Sequence, residues 1–240
     1  MSDEDLKHLG SGMVKYCTKF DVPLEFLFVI LEDQKVTPMI RGKAMEYNAY
    51  LLLKKLLPRW GVEKLNLNPQ PGTDDEDISI TYLRTGQRLA AESKSAVRGS
   101  MSDGERTKII KGEPHFKVKC HRSRSNKSLE TNDAYAADSF DVLITNPLNA
   151  IYVGATLGED LEVIKSEKIR KILNEFYKVT TDEDLIKACS SDWRFCIPSD
   201  IAVDGFIPRT PYVKLMNDPY WKPLAEIESR ITQIATSRRR

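Results

Sequence analysis

Cysteine is scarce: four residues in 240, at Cys17, Cys120, Cys189 and Cys196, with no C-x-x-C pair among them. That excludes a disulfide scaffold and points to a reducing, cytoplasmic setting. Histidine is scarcer, at three. The one grouping that suggests zinc is His115, Cys120 and His121, and on an alternating strand the last two point to opposite faces. Long hydrophobic runs are missing. The most apolar stretch, Leu24 to Leu31, contains Glu25 and is far too short to span a bilayer. The first residues are acidic where a signal peptide is basic, and no membrane partner is expected. No phosphate loop of the G-x-x-x-x-G-K type occurs, which argues against a nucleotide cofactor. No G-x-S-x-G elbow occurs either, although a dispersed Ser-His-Asp or Cys-His set stays open. Net charge is absent too: 36 Lys+Arg against 35 Asp+Glu leave +1. As an average, this argues against a protein coated in positive charge, but it says nothing of where the charges sit.

What is present is an ordinary globular balance, 41% hydrophobic and 30% charged. A single domain over 1–240 is expected, with a helical region at about 156–240. Asp21-Val22-Pro23 reads as the start of a helix whose apolar residues 24–31 are dense enough for burial. A second helix runs from about Arg41 to Leu57 and stops at Pro58. Residues 66–72 are loop. Ile78–Leu83 and Arg88–Ser95 are strands about a turn at Thr85-Gly86. A short helix near 107–111, an alternating strand at 116–121, and strands at 139–145 and 150–155 follow. Helices are expected at 161–179, 182–189 and 224–236. This is α/β or α+β: a central mixed sheet flanked by helices.

Within that frame, Asp77 ends an acidic run just before the first strand, and Glu92-Ser93-Lys94 lies in the second. A turn at Thr85-Gly86 sets Ser79 opposite Glu92 and Asp77 opposite Lys94. Opposed residues share a face, so Asp77, Glu92 and Lys94 project together. Two carboxylates and an ammonium there can hold Mg²⁺ beside a phosphodiester and stabilise the charge that develops on it. An exposed hairpin with solvated charges is the competing reading. Glu46 shares a helix face with Ala49, Tyr50, Leu53 and Leu57. An acid on that face is costly unless it is paired, binds a metal or sits at the edge and reaches water.

The charge is strongly segregated. From Arg84 to Lys127 there are twelve basic residues and four acids, a net of +8. From Ser128 to Asp160 there are six acids and no Lys or Arg. A basic segment beginning at the acid pair is the footprint expected for a phosphate backbone. Its candidate contacts are Arg98, Lys117, Lys119, His121, Arg122, Arg124, Asn126 and Lys127. Arginine and asparagine in the 121–127 stretch are suited to base edges or phosphates. A solvated loop without a partner is the alternative.

Arg41-Gly-Lys-Ala-Met-Glu46, then Asp77, then Glu92-Ser-Lys94, resembles the PD-(D/E)xK nucleases, most of all type II restriction endonucleases. The similarity covers about Arg41 to Ala155 and includes the Phe140–Ile144 strand, with Glu76 where the motif's proline is common. The resemblance implies a restriction-endonuclease-like core, Mg²⁺ as cofactor, double-stranded DNA as partner and cleavage that leaves a 5′-phosphate. It makes Asp77 and Glu92 the metal ligands, Lys94 the catalytic lysine and Glu46 the supporting acid. It also implies a homodimer in a bacterial or archaeal cytoplasm, although no dimer signature stands out. A structure-specific repair or junction-resolving nuclease and a non-catalytic DNA-binding protein are the other readings.

Overall fold

A computed structural model describes residues 2–33, 35–65, 76–104, 113–121, 133–153 and 162–237. By internal contacts the chain divides into residues 1–44 and 45–240. The expected loop at 66–72 and helix near 107–111 lie outside the described residues.

The first unit is helical. Helix α1 (Asp3–Phe20) begins in a capping box: Asp5 N–H donates to Ser2 Oγ, and Ser2 N–H donates to the Asp5 carboxylate. Asp21 closes it in the left-handed region at φ 52° and donates its N–H to Cys17 O. The sequence reading placed a helix start at Asp21. The residue instead ends a helix, because a short polar side chain tolerates this conformation. A 3₁₀ turn (Leu24–Phe26) leads into α2 (Leu27–Glu32). The expected burial fails here. Leu27 is buried, but Phe28 and Val29 are 65% and 64% exposed. A helix of six residues turns too few times to bury apolar groups on every side.

Helix α3 (Thr37–Leu56) runs into the second unit and buries Met45, Ala49 and Leu53, one turn apart. Leu57 and Pro58 end it, as expected. Strands β1 (Trp60–Lys64), β2 (Ile78–Tyr82) and β3 (Gln87–Ser93) follow. Next come β4 (His115–Lys117), β5 (Val142–Thr145), α4 (Leu148–Ile151), β6 (Tyr152–Val153) and β7 (Glu162–Val163). Helices α5 (Glu167–Tyr177) and α6 (Asp182–Ser191), strand β8 (Arg194–Cys196) and helix α7 (Pro198–Ile201) come next. Strands β9 (Tyr212–Lys214) and β10 (Lys222–Pro223) and helix α8 (Ile227–Ser237) complete the unit.

The central sheet has the order β1-β2-β3-β5-β8-β10. The β3–β5 pair is parallel and its other pairs are antiparallel. Each face carries its own core. Leu53 of α3 and Ile231 of α8 pack with Ile78, Leu89 and Ile144. Leu173 of α5 and Leu185 of α6 pack with Leu143, Phe116 and Val118. Val142 and Ile144 point one way and Leu143 the other, the period-two alternation of a doubly covered strand. The fold is therefore α+β, a mixed central sheet flanked by helices, as expected. No helix among the described residues is long and apolar enough to cross a membrane.

Several expected boundaries shift. Of the expected 150–155 strand, residues 150–151 end the short helix α4, 152–153 form β6, and 154–155 lie outside the described residues. The 161–179 helix is α5, beginning at Glu167 after β7. The region expected to be helical from 156 onward also contributes β8 and β10 to the main sheet. At two and three residues, these strands are too short for periodicity to register.

Candidate active site

The site is built on the β2–β3 hairpin. Residues 83–86 form its turn, and Gly86 takes φ 71°, which a side chain would oppose. The pairing is Ile78↔Ala91, Ser79↔Ala90 and Tyr82↔Gln87. The sequence reading set the register two residues further on, because it centred the loop after Thr85 rather than before it. A shift of two preserves faces. The next step of the observed register brings Asp77 opposite Glu92, with Lys94 two positions along the same side.

The two carboxylates are buried and Lys94 is partly buried. Asp77 is 7% exposed and Glu92 3%. Ser93 N–H donates to Asp77 Oδ2 at 3.0 Å, which ties the two strands together at the carboxylate. Lys94 forms an ion pair with Glu92 Oε1 and donates to the Tyr135 hydroxyl at 3.1 Å. Its ammonium also stands 4.9 Å from the Tyr135 ring centroid, a cation–π contact. These charges are therefore not the solvated face of an exposed hairpin.

Glu46 of α3 reaches the same region. Lys64 Nζ, at the end of β1, donates to Glu46 Oε2 at 3.0 Å and to the Asp77 carbonyl oxygen at 3.2 Å. It also stands 3.9 Å from Asp77 Oδ1. Glu46 is thus paired across the helix–sheet boundary instead of reaching out to water. Lys64 and Tyr135 are the residues that the sequence reading missed. Lys64 follows Trp60-Gly-Val-Glu, a stretch with little alternation, and Tyr135 lies outside any regular element. Neither carries a local signal. Lys64→Met is expected to cost about 3 kcal/mol of stability, because it leaves the buried Asp77 and the partly buried Glu46 without their shared cation. Urea unfolding measures this, and an unchanged midpoint would remove Lys64 from the network.

Burial pushes the Asp77 carboxyl up to about 6, with the Glu46 charge adding to the rise; the Ser93 N–H, Lys94 and Lys64 oppose it. Burial alone would lower the Lys94 ammonium, but Glu92 and Tyr135 hold it above its ordinary value. Burial pushes the neighbouring Cys120 thiol up to about 12, which keeps it protonated at neutral pH.

Two ion-paired groups adjoin the hairpin: Lys64 with Glu46 and Asp77, and Lys94 with Glu92. Among the described residues no three His, Cys, Asp or Glu side chains converge as a metal cage. A pair of hard carboxylates without a protein cage fits Mg²⁺, which binds through one or two carboxylates and keeps several waters. It does not fit zinc, which takes four nitrogen or sulfur ligands in structural sites.

The basic segment is partly visible. Arg98 is partly buried. Along 115–121, Phe116, Val118 and Cys120 are fully buried while Lys119 is exposed, the expected alternation. The regular strand is shorter, His115–Lys117, and pairs with β9 outside the main sheet. Lys117 Nζ stands 5.4 Å from the Tyr212 ring, and His121 is bridged to Ala134. Arg122, Arg124, Asn126 and Lys127 lie outside the described residues. Trp60, Trp193 and Trp221 are buried, as core residues. All four cysteines are buried free thiols.

No known family model and no curated protein matches the chain. Among solved structures, that of a bacterial homing endonuclease is similar at a TM-score of 0.38 and 15% identity. The match covers 84% of this chain and 97% of that one. A likeness of this size carries no weight for the chemistry.

Proposed function

We propose that the chain is a Mg²⁺-dependent endonuclease of type II restriction character. It hydrolyses phosphodiester bonds of double-stranded DNA at a specific sequence and leaves 5′-phosphate ends. The observation that carries this reading is the Asp77–Glu92–Lys94 set on one strand-hairpin face, with both carboxylates buried, backed by Glu46. Burying two carboxylates against partly buried lysines is expensive for a purely structural purpose.

In this reading Asp77 and Glu92 hold the ion, which when bound supplies Lewis acidity at the scissile phosphate. Lys94 donates hydrogen bonds to the phosphate oxygens as charge builds on them, and Tyr135 fixes the ammonium in place. Lys64 holds Glu46 and Asp77 in position until the ion binds. The +8 segment from Arg84 to Lys127 draws the DNA backbone toward this face, and Arg122 to Lys127 supply contacts to bases or phosphates. Two copies related by a two-fold axis cut both strands of a palindromic site. The expected setting is a bacterial or archaeal cytoplasm.

Digestion of a defined plasmid with Mg²⁺, followed by sequencing of the ends, tests the proposal. Discrete fragments that vanish with EDTA are expected. Cleavage confined to branched substrates would instead assign a junction or repair nuclease. DNA binding without any metal-dependent nicking would assign a binding protein.

A further inference from the structure

Helix α1 carries an apolar seam that is exposed among the described residues. Leu6, Leu9, Met13, Tyr16 and Phe20 follow one another at spacings of 3, 4, 3 and 4, a two-heptad coiled-coil pattern. Leu6, Leu9, Tyr16 and Phe20 are 48%, 53%, 54% and 56% exposed. In residues 1–44 the buried apolar residues are Cys17 and Leu27 alone among those described. A unit of this size with so small a core needs support from outside itself.

A second feature is independent of the first. Gly10 and Gly12 sit in the middle of α1, flanking the seam. A mid-helix glycine costs about 1 kcal/mol relative to alanine. Among the described residues a Cβ on either meets no atom within 4 Å, so close packing does not require these two. Small residues beside an apolar seam let a second backbone approach closely.

The charges of α1 name the occupant. Its first turn is acidic (Asp3, Glu4, Asp5), while Lys15 and Lys19 lie toward its other end. An antiparallel pair of identical helices sets each acidic end against a basic one, and a parallel pair sets like against like. Residues 1–44 hold seven acids and six bases, so the unit has no positive field to attract DNA.

We infer that α1 is a self-association surface, pairing antiparallel with α1 of a second copy of this chain. The inference names the surface for the pairing proposed above and rests on that pairing but not on the chemistry. Asp77→Asn should lose cleavage and stay paired, while an α1 variant should become monomeric and still nick DNA with Mg²⁺.

The test is sedimentation equilibrium on the full chain from about 1 to 100 µM, a range that brackets a modest interface. The wild type should be dimeric, and Leu9→Lys with Tyr16→Lys should be monomeric with unchanged far-UV circular dichroism. A cysteine experiment does not depend on how that variant folds. Leu6→Cys chains mixed with Phe20→Cys chains should cross-link on oxidation, and Leu6→Cys chains alone should not. The native thiols, being buried, do not compete. A monomeric wild type would overturn the inference and return the seam to its own chain. So would a double variant that stays dimeric, or self-cross-linking through Leu6→Cys.

Discussion

Asp77→Asn is expected to abolish Mg²⁺-dependent DNA cleavage while raising the melting temperature of the metal-free protein at pH 7. The variant keeps shape and volume, and its amide oxygen can still accept from Ser93 N–H. What it loses is a buried negative charge. The carboxyl stands near 6 in the folded protein against 3.8 as its ordinary value, chiefly through burial. Folding therefore favours the protonated form, and the ionised group costs stability at neutral pH. That cost is complete above about pH 6 and gone below the unfolded value. A gap of about two units is worth about 3 kcal/mol, a net figure in which the attraction to Lys64 and Lys94 is already counted. A rise of a few degrees is expected, given about 2–4 °C per kcal/mol at this size. The gain should shrink as the pH falls from about 6 toward 4, because wild-type Asp77 then becomes neutral in both states. Scanning calorimetry across that window, beside the plasmid assay, reads both effects. Retained cleavage would remove Asp77 from the chemistry. A lower melting temperature would show that its contacts outweigh its burial. The same argument makes metal affinity weaken below about pH 6, since the ion must then displace a proton.

Lys94→Met should lower the single-turnover cleavage rate by about 10²–10³-fold, the usual consequence of removing one preorganised donor from a developing oxyanion. Binding of the target DNA, measured with Ca²⁺ to prevent turnover, should change little, because the ammonium is partly buried and engaged by Glu92 and Tyr135. Tyr135→Phe retains the ring and its cation–π contact and removes only the hydroxyl, so its effect should be the smaller of the two. Lys94→Met also leaves Glu92 buried without its ion pair, and the unfolding midpoint must be checked at the assay temperature. A full-rate Lys94→Met enzyme would end the assignment of this lysine to the chemistry.

The face-sharing of Asp77, Glu92 and Lys94 was legible from residue order because it depends only on parity. The loop proved to sit at 83–86, two register positions from the expected pairing, and the face survived the error. Glu46 was legible for a similar reason, since helical spacing places it beside Ala49, Leu53 and Leu57 wherever the helix begins. The apolar run 24–31 misled, because hydrophobic density predicts burial only if the fold supplies something to bury against. The two-heptad seam of α1 went unread, being too short to stand out until a capped helix was seen to carry it.

By itself, then, the sequence determined the α3 helix, the hairpin, the shared face of its three charged groups and the segregation of basic charge. Each follows from local periodicity or from composition. Only the tertiary structure decided that Lys64 would lie between Glu46 and Asp77, that Tyr135 would hold Lys94, and that β8 and β10 would complete the sheet. Those partners come from distant stretches of chain: Tyr135 lies 41 residues from Lys94, and Lys64 lies 18 from Glu46. Their meeting depends on which strand pairs with which and how the helix crosses the sheet. That choice is made by burying two cores at once, and no local pattern of residues records it.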